Sequence, residues 1–126
     1  MTQRLTKAEE QVLQILWELQ EGTVQDIRDK FEEPRPARTT IATVLNILEN
    51  KQFVSHTAQG RVNLYAPIVA KESYSKAQLL GIMKNYFNNS FASLVSFFAK
   101  ENNLSIDELD ELIEKTKEEL RKENQH

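Results

Sequence analysis

The sequence predicts a mainly α-helical protein with one small β-hairpin. Apolar side chains recur every three or four positions in residues 6–51, a β-rich pattern occupies residues 53–67, and helical spacing returns after residue 71. The chain has 126 residues, 40% of them hydrophobic, with only three Gly and three Pro. That composition is typical of one compact domain, or of a small domain with an appended element, and not of a loop-rich chain.

Start and stop signals predict the first two helices. Thr6 and Glu9 form a T-x-x-E capping box ahead of an apolar stripe, and Gly22 is placed to end this helix. Thr23 is a favourable N-cap for a short second helix, which the prolines that begin at Pro34 close.

The third helix is predicted from about residue 37 to residue 51, and it has two unlike faces. Its inward positions carry Ile41, Val44, Leu45 and Leu48, spaced at i, i+3, i+4 and i+7. The opposite face carries Thr39, Thr40, Thr43, Asn46 and Asn50. The outer face is therefore uncharged and rich in short hydrogen-bonding groups.

After the third helix the spacing of apolar residues changes from helical to strand-like, and later back to helical. Residues 53–57 and 62–67 read as two strands joined by the Gly-containing turn 58–61, which predicts a hairpin. Three helices follow, separated by the breaks Asn88-Asn89 and Asn102-Asn103, with Ser90 and Ser105 as the N-caps of the last two.

Three short helices followed by a hairpin are the pattern of a winged helix-turn-helix domain, which we place at residues 1–70. In that arrangement the third helix presents hydrogen-bonding groups to base edges in the major groove of DNA. The candidate DNA contacts are Arg38, Thr39, Thr40, Thr43, Asn46 and Arg61. The alternative interpretation is a polar, solvated helix face, as in a winged-helix adaptor that binds proteins and not specific DNA.

The charge distribution favours the DNA-binding interpretation. The net charge is −3, from 16 Lys and Arg against 19 Asp and Glu, which by itself argues against a nucleic-acid binder. Within residues 35–61, however, four basic residues stand against one acidic residue, a local charge of +3. The basic residues there are Arg35, Arg38, Lys51 and Arg61, at both ends of the third helix and at the hairpin tip.

Residues 71–126 are expected to form a helical dimerisation domain. Their apolar side chains are too numerous for three short helices to bury within one subunit. The predicted interface residues are Tyr86, Phe87, Phe91, Leu94, Phe97, Phe98, Leu109, Leu112 and Ile113. The alternative is an internal core contact with the N-terminal domain.

Other classes of function are excluded or disfavoured by the sequence. The absence of cysteine excludes disulfides, thiolate metal sites and a Cys nucleophile. There is no catalytic triad, phosphate-binding Gly loop or zinc motif, and the acidic residues of the last helix lack EF-hand spacing. We therefore expect no enzymatic activity and no cofactor. Without a signal sequence or a membrane-spanning run, we expect a cytoplasmic protein with no membrane contact.

Motifs along nearly the whole chain resemble those of one known family. They are Leu5-Thr6, Leu16-Trp17, Thr23-Val24, Arg38-Thr39-Thr40-x-x-Thr43, Lys51-x-Phe53-Val54, Gly60-Arg61, Tyr65-x-Pro67, the segment 91–98 and Leu104-Ser105. Each motif alone is weak, but together they are fairly specific. The chain resembles the BlaI/MecI penicillinase-repressor family of winged-helix transcriptional repressors.

The resemblance implies a bacterial homodimer that binds double-stranded DNA at a palindromic operator. Thr39, Thr40 and Thr43 match the groove-facing positions of the family, and Arg61 matches the Arg of its wing. The resemblance also implies a sensor protease as a partner, which cleaves an Asn-Phe bond in the C-terminal helices. The pair Phe97-Phe98 stands at that position here. Three other departures are Arg38 where an aromatic is common, Ile47 where a basic residue is common, and Gln52 where Gly is common.

Overall fold

The computed structural model describes residues 4–124 and contains six helices and one hairpin within that range. The elements are α1 (Lys7–Leu19), α2 (Val24–Asp29), α3 (Arg38–Asn50), β1 (Val54–Gln59), β2 (Val62–Pro67), α4 (Lys71–Tyr86), α5 (Phe91–Glu101) and α6 (Ile106–Asn124). The predicted order of elements and the mainly helical fold class are confirmed.

The chain divides into two compact units, and the division falls after Gln78, within α4. The first unit contains α1–α3, the hairpin and the first turns of α4. Its core consists of eleven buried hydrophobic residues: Val12, Leu13, Leu16, Ile27, Ile41, Leu45, Leu48, Phe53, Val54, Tyr65 and Tyr74. Helices α1 and α2 both pack on α3. They hold α3 on its buried side, and its opposite side remains exposed.

Helix starts follow the predicted capping signals closely. Thr6 and Ser90 cap α1 and α5, each accepting from the backbone N–H three residues ahead. Thr23 and Asp26 form a complete capping box at α2, and Ser105 forms another with Glu108 at α6. At Thr6 the capping box is incomplete. The carboxylate of Glu9 accepts a hydrogen bond from the Thr6 hydroxyl and not from the Thr6 backbone N–H.

The expectation that Gly22 ends α1 is wrong. The helix ends at Leu19, and Gln20 is its C-cap with φ of +72°. Gly22 lies beyond it and exchanges two backbone hydrogen bonds of 2.9 and 2.8 Å with Tyr65 of β2. A Cβ at Gly22 would lie 3.1 Å from a methyl of Leu19. The absence of a side chain at Gly22 therefore lets its backbone lie this close to Leu19.

The hairpin turn is shorter than predicted. Pairing continues to Gln59 and Val62, so only Gly60 and Arg61 connect the strands. Gly60 has φ of +62° and nothing near its Cβ position, so its backbone conformation, and not space, requires glycine. Within β2 the buried side chain is Tyr65, whereas Val62 at the tip is half exposed, because the bridge to Gly22 covers the hairpin near its base.

Candidate nucleic-acid and subunit interfaces

All six predicted DNA-contacting residues are exposed. Arg38 is the first residue of α3, and Thr39, Thr40, Thr43 and Asn46 follow within about 12 Å of helix length. The buried residues Ile41, Leu45 and Leu48 occupy the opposite side of α3. Arg61 lies apart from this helix, in the turn of the hairpin.

The N-terminus of α3 is left open by its cap residue. Ala37 is the N-cap and offers no side-chain acceptor, so the first N–H groups of the helix are available to an external acceptor such as phosphate. The turn before it is held in place by Arg28, whose Nε donates to the carbonyl of Pro36 at 2.9 Å.

One hydroxyl on the exposed face is already engaged within the helix. Thr43 Oγ1 donates to the carbonyl of Thr39 at 2.9 Å. The Thr43 oxygen therefore faces outward as an acceptor, with a methyl group beside it. An acceptor can take a hydrogen bond from the amino group of adenine or cytosine, and the methyl can contact the methyl of thymine.

The predicted DNA contacts leave out one residue of this face, which the sequence marked only as a departure from the family pattern. Ile47 lies one helical turn beyond Thr43 and is 37% exposed, an apolar side chain in the middle of a polar surface. An aliphatic group at this position can pack on a thymine methyl. The signal was its i+4 spacing from Thr43, which places both residues on one face.

The local charge of +3 is largely compensated in the structure. Lys51 Nζ lies 2.6 Å from the carboxylate of Glu9, and Arg35 lies 2.6 Å from that of Glu33. Both acidic partners come from outside the stretch 35–61 over which the charge was counted. Among the described residues of that stretch, Arg38 and Arg61 are the Lys or Arg side chains without an ion pair.

The Glu9–Lys51 pair is a buried link between α1 and the end of α3. Glu9 is 5% exposed and binds Lys51 and the hydroxyl of Thr6, while Lys51 also donates to the carbonyl of Arg4. Burial raises the pKa of the Glu9 carboxyl, but the hydrogen bonds from Lys51 and Thr6 and the Lys51 charge outweigh it, so that the pKa is lowered. Glu9 therefore remains ionised and holds Lys51 away from other anions.

A second contact joins α3 to the hairpin. His56 of β1 lies with its Nδ1 at 2.6 Å from the carboxylate of Glu49, and its ring lies 5.4 Å from that of Tyr65. Two side-chain contacts thus fix the C-terminal end of α3, and Arg28 holds the turn that precedes its first residue.

The predicted subunit-interface residues lie on α4–α6, except Phe87 in the break after α4, and all remain partly or largely exposed. Six of them, with Val95, Thr116 and Lys117, line a groove of about 600 Å³: Phe91, Leu94, Phe98, Leu109, Leu112 and Ile113. The rings of Phe87 and Phe97 lie 5.7 Å apart. No residue from 79 to 124 has a fully buried side chain, so this unit lacks a closed core of its own.

Two further properties concern residues 4–124. No cluster of His, Asp or Glu in that range could hold a metal ion. No helix in the described part of the chain is long and apolar enough to cross a membrane.

Comparison with known proteins finds several relatives of this chain. The chain is 26% identical over 110 residues to the penicillinase repressor of Bacillus licheniformis, covering 86% of each protein. It is 23% identical over 112 residues to the methicillin resistance regulatory protein MecI of Staphylococcus aureus, covering 88% of this chain and 91% of that one. The DNA-binding domain of the repressor BlaI superimposes with a TM-score of 0.51 at 23% identity, over 59% of this chain and 92% of that domain.

That superposition confirms the winged-helix fold of the first unit. The family model of the penicillinase repressors matches residues 5–118, nearly the whole chain. The protein therefore belongs to the penicillinase repressor family, a family of DNA-binding transcriptional repressors and not of enzymes.

Proposed function

We propose that this repressor binds a palindromic operator as a homodimer, with α3 of each protomer in the major groove. The observation that carries the proposal is the exposed face of α3, which is uncharged, rich in hydrogen-bonding groups and backed by a rigid core. Thr39, Thr40, Thr43 and Asn46 would read base edges, and Ile47 would contact a thymine methyl. Arg38 and Arg61 would contact phosphates, with Arg61 at the backbone or minor groove.

The charge pattern supports a particular balance of affinity and specificity. With Lys51 and Arg35 held by carboxylates, few phosphate contacts remain on this surface. Sequence-independent affinity, which depends on neutralised phosphates, is therefore low, and recognition depends on the groove contacts.

The second unit supports the dimer. Its apolar groove and its lack of buried side chains are typical of a surface completed by another copy of the same chain. A two-fold dimer would place two α3 helices in successive major grooves, about 34–36 Å apart.

DNA selection tests the operator proposal. Random duplexes enriched by the protein should converge on a palindrome, and Thr40→Ala should then lower discrimination between operator and random DNA. Arg38→Ala and Arg61→Ala should each reduce the slope of log K against log salt by about 1.8, since each change removes two phosphate contacts per dimer. Arg35→Ala is the matched control and should leave the slope unchanged. If no palindrome is enriched, the chain is better described as a protein-binding adaptor.

Sedimentation equilibrium tests the dimer. The wild type should be dimeric at micromolar concentration, and Phe98→Asp or Leu112→Asp should produce monomers, because a charge in an apolar interface is costly to desolvate. Ser96→Asp, on an exposed position of α5, is the control and should remain dimeric. A monomeric wild type would contradict the proposal.

Release by a sensor protease is a separate part of the proposed function. The matching Phe97-Phe98 bond lies inside α5 with both side chains about half exposed, so cleavage would require this helix to open locally. Co-expression with an activated sensor protease should then convert the full-length chain to a fragment that ends at Phe97. If the full-length chain survives co-expression, the proposal that a sensor protease cleaves it is wrong.

A further inference from the structure

The hairpin is attached to the helices at one rung, where His56 of β1 pairs with Tyr65 of β2. The Tyr65 backbone exchanges two hydrogen bonds with Gly22, which lies between α1 and α2. His56 Nδ1 lies 2.6 Å from the carboxylate of Glu49, one residue before the end of α3. We call Gly22, Glu49, His56 and Tyr65 together the wing anchor. The rung is therefore held through the backbone of one strand and the side chain of the other.

Beyond the wing anchor the hairpin projects without further attachment. Within residues 4–124, no hydrogen bond or ion pair joins residues 57–64 to a part of the chain outside the hairpin. Residues 57–63 are all exposed. Gly60, at the tip, lies four residues beyond His56 and therefore about 13 Å from the rung. The direction of this projecting segment is consequently set at the wing anchor.

The contact between His56 and Glu49 depends on charge. Glu49 is the one acidic residue in the stretch 35–61. The elements that pack most extensively on β1 are β2 and α3, and the titratable groups that face the imidazole from them are the Tyr65 ring, at 5.4 Å, and the Glu49 carboxylate. A protonated imidazole forms an ion pair with an ionised carboxylate, whereas a neutral imidazole keeps only a hydrogen bond. The contact is therefore weakened when His56 loses its proton.

We propose that His56 is a positioning residue that, through Glu49, holds the hairpin at the angle at which Arg61 meets the DNA backbone. This inference rests on the proposed function, in which Arg61 contacts a phosphate. A tilt of about 10° at the rung would displace the tip by about 2 Å, enough to break a hydrogen bond of about 2.9 Å. The effect of His56 on affinity therefore passes through Arg61 and disappears when Arg61 is replaced.

The backbone amide of Gly60 reports the attachment of the hairpin in the protein without DNA. His56→Phe keeps a ring against Tyr65 but cannot bond to Glu49, so the NMR order parameter of Gly60 should fall toward about 0.6, below which backbone is flexible. His56→Asn keeps a donor near the place of Nδ1 and should retain the wild-type value. Ser55→Ala removes an exposed hydroxyl from the adjacent residue and should change nothing. An unchanged order parameter in His56→Phe would overturn the inference, whatever the protein does with DNA.

A double-mutant cycle on the selected operator tests whether His56 acts through Arg61. The salt slope of about 1.8 assigned to the two Arg61 contacts of a dimer corresponds to about 30-fold in affinity between 1 M and 0.15 M salt. His56→Phe should lower the affinity by about tenfold, the factor for one hydrogen bond to a charged group. In the Arg61→Ala background the same change should alter the affinity by less than about twofold. Equal losses in the two backgrounds would show that His56 does not act through Arg61.

The pH profile separates positioning from a direct effect of the His56 charge on DNA. Operator affinity of the wild type should fall as pH rises from about 5.5 to about 8, the range in which histidine changes charge. Glu49→Gln removes the ion pair from its other side and should flatten this profile, as His56→Phe does, although the loss of a negative charge should raise affinity at every pH. The profile of Arg61→Ala should also be flat. If its pH dependence persists, His56 acts through its own charge and has no positioning role.

Failure of the proposed function gives a different result. If the wild type selects no palindrome, or if Arg61→Ala leaves the salt slope unchanged, the operator proposal or its wing contact is wrong and the inference falls with it. If Arg61→Ala lowers the slope and His56→Phe does not, the wing contact stands and His56 has no positioning role. If His56→Phe does not fold, Glu49→Gln decides, since a flat pH profile supports the inference and an unchanged profile overturns it.

Discussion

Replacing Lys51 by Met removes the positive member of the Glu9–Lys51 pair while keeping most of the side-chain volume. Glu9 is then left as a buried carboxylate whose remaining donor is the Thr6 hydroxyl. Breaking a fully buried pair in this way costs about 3–5 kcal/mol. Because the Lys51 side chain is 25% exposed and the Thr6 donor remains, we expect a loss of about 2–3 kcal/mol in the free energy of unfolding.

Urea unfolding, followed by the fluorescence of Trp17, measures this loss. With a slope of about 1–1.5 kcal/mol per molar urea for a unit of this size, the midpoint of Lys51→Met should fall by about 2 M. Lys30→Met is the matched control, because Lys30 pairs with Glu18 at 3.2 Å with both side chains well exposed. An exposed pair of that kind contributes less than about 1 kcal/mol.

The pH dependence gives a second, independent signature. The pKa of Glu9 is lowered in the folded protein from 4.5, so its ionisation stabilises the fold above pH 4.5, and this contribution is lost as pH falls through the lowered pKa. The difference between wild type and Lys51→Met should therefore narrow as pH falls, because protonation of Glu9 removes both the pairing energy in the wild type and the cost of the unpaired buried charge in the variant. A loss no larger than that of Lys30→Met, or a difference that grows in acid, would refute the assignment of a buried ion pair.

Three other changes have defined outcomes. Gln52 has φ of +69°, a backbone conformation that is disfavoured for residues other than glycine. Gln52→Gly should therefore raise the free energy of unfolding, measured in urea, by about 0.5–1 kcal/mol. An unchanged or lower urea midpoint would show that the backbone at Gln52 is not strained. Thr23→Ala removes the complete capping box of α2 and should cost about 1 kcal/mol by the same assay, whereas Ser75→Ala should cost almost nothing. Burial and the hydrogen bond to Glu10 raise the pKa of Tyr74 to about 12. Neutral Tyr74 therefore stabilises the fold below pH 10, and the advantage over Tyr74→Phe should be lost between pH 10 and pH 12; a difference that persists above pH 12 would be inconsistent with this shift.

Local chemistry was predictable from the sequence, and contacts distant in the chain were not. The caps at Thr23, Ser90 and Ser105 depend on groups three residues apart, so the sequence contains all the information they need. The inward stripe of α3 was likewise read from spacing alone. Glu9, by contrast, was assigned to the cap of α1, but its strongest partner is Lys51, 42 positions later.

The candidate DNA-binding surface shows the same division. The exposed face of α3 follows from helical periodicity, since a stripe of apolar residues fixes which side remains outside. The local charge does not follow, because Glu9 and Glu33 come from outside the basic stretch and neutralise two of its four cations. The burial of Tyr65 was also unpredictable, since it depends on the bridge to Gly22, 43 residues earlier, and not on alternation within β2.

The exposed apolar helices of the second unit bear on how long a chain survives in the cell. Among residues 79–124 no side chain is fully buried, and helices without tertiary packing are marginal in water. An unpaired chain would therefore open often at α5 and α6 and present its backbone to general proteases. In the proposed dimer the same helices are covered, so degradation would fall mainly on unpaired chains. The number of repressor molecules per cell would then depend on how readily the chains dimerise. At low concentration more of the chains would be unpaired, and degradation would be fastest.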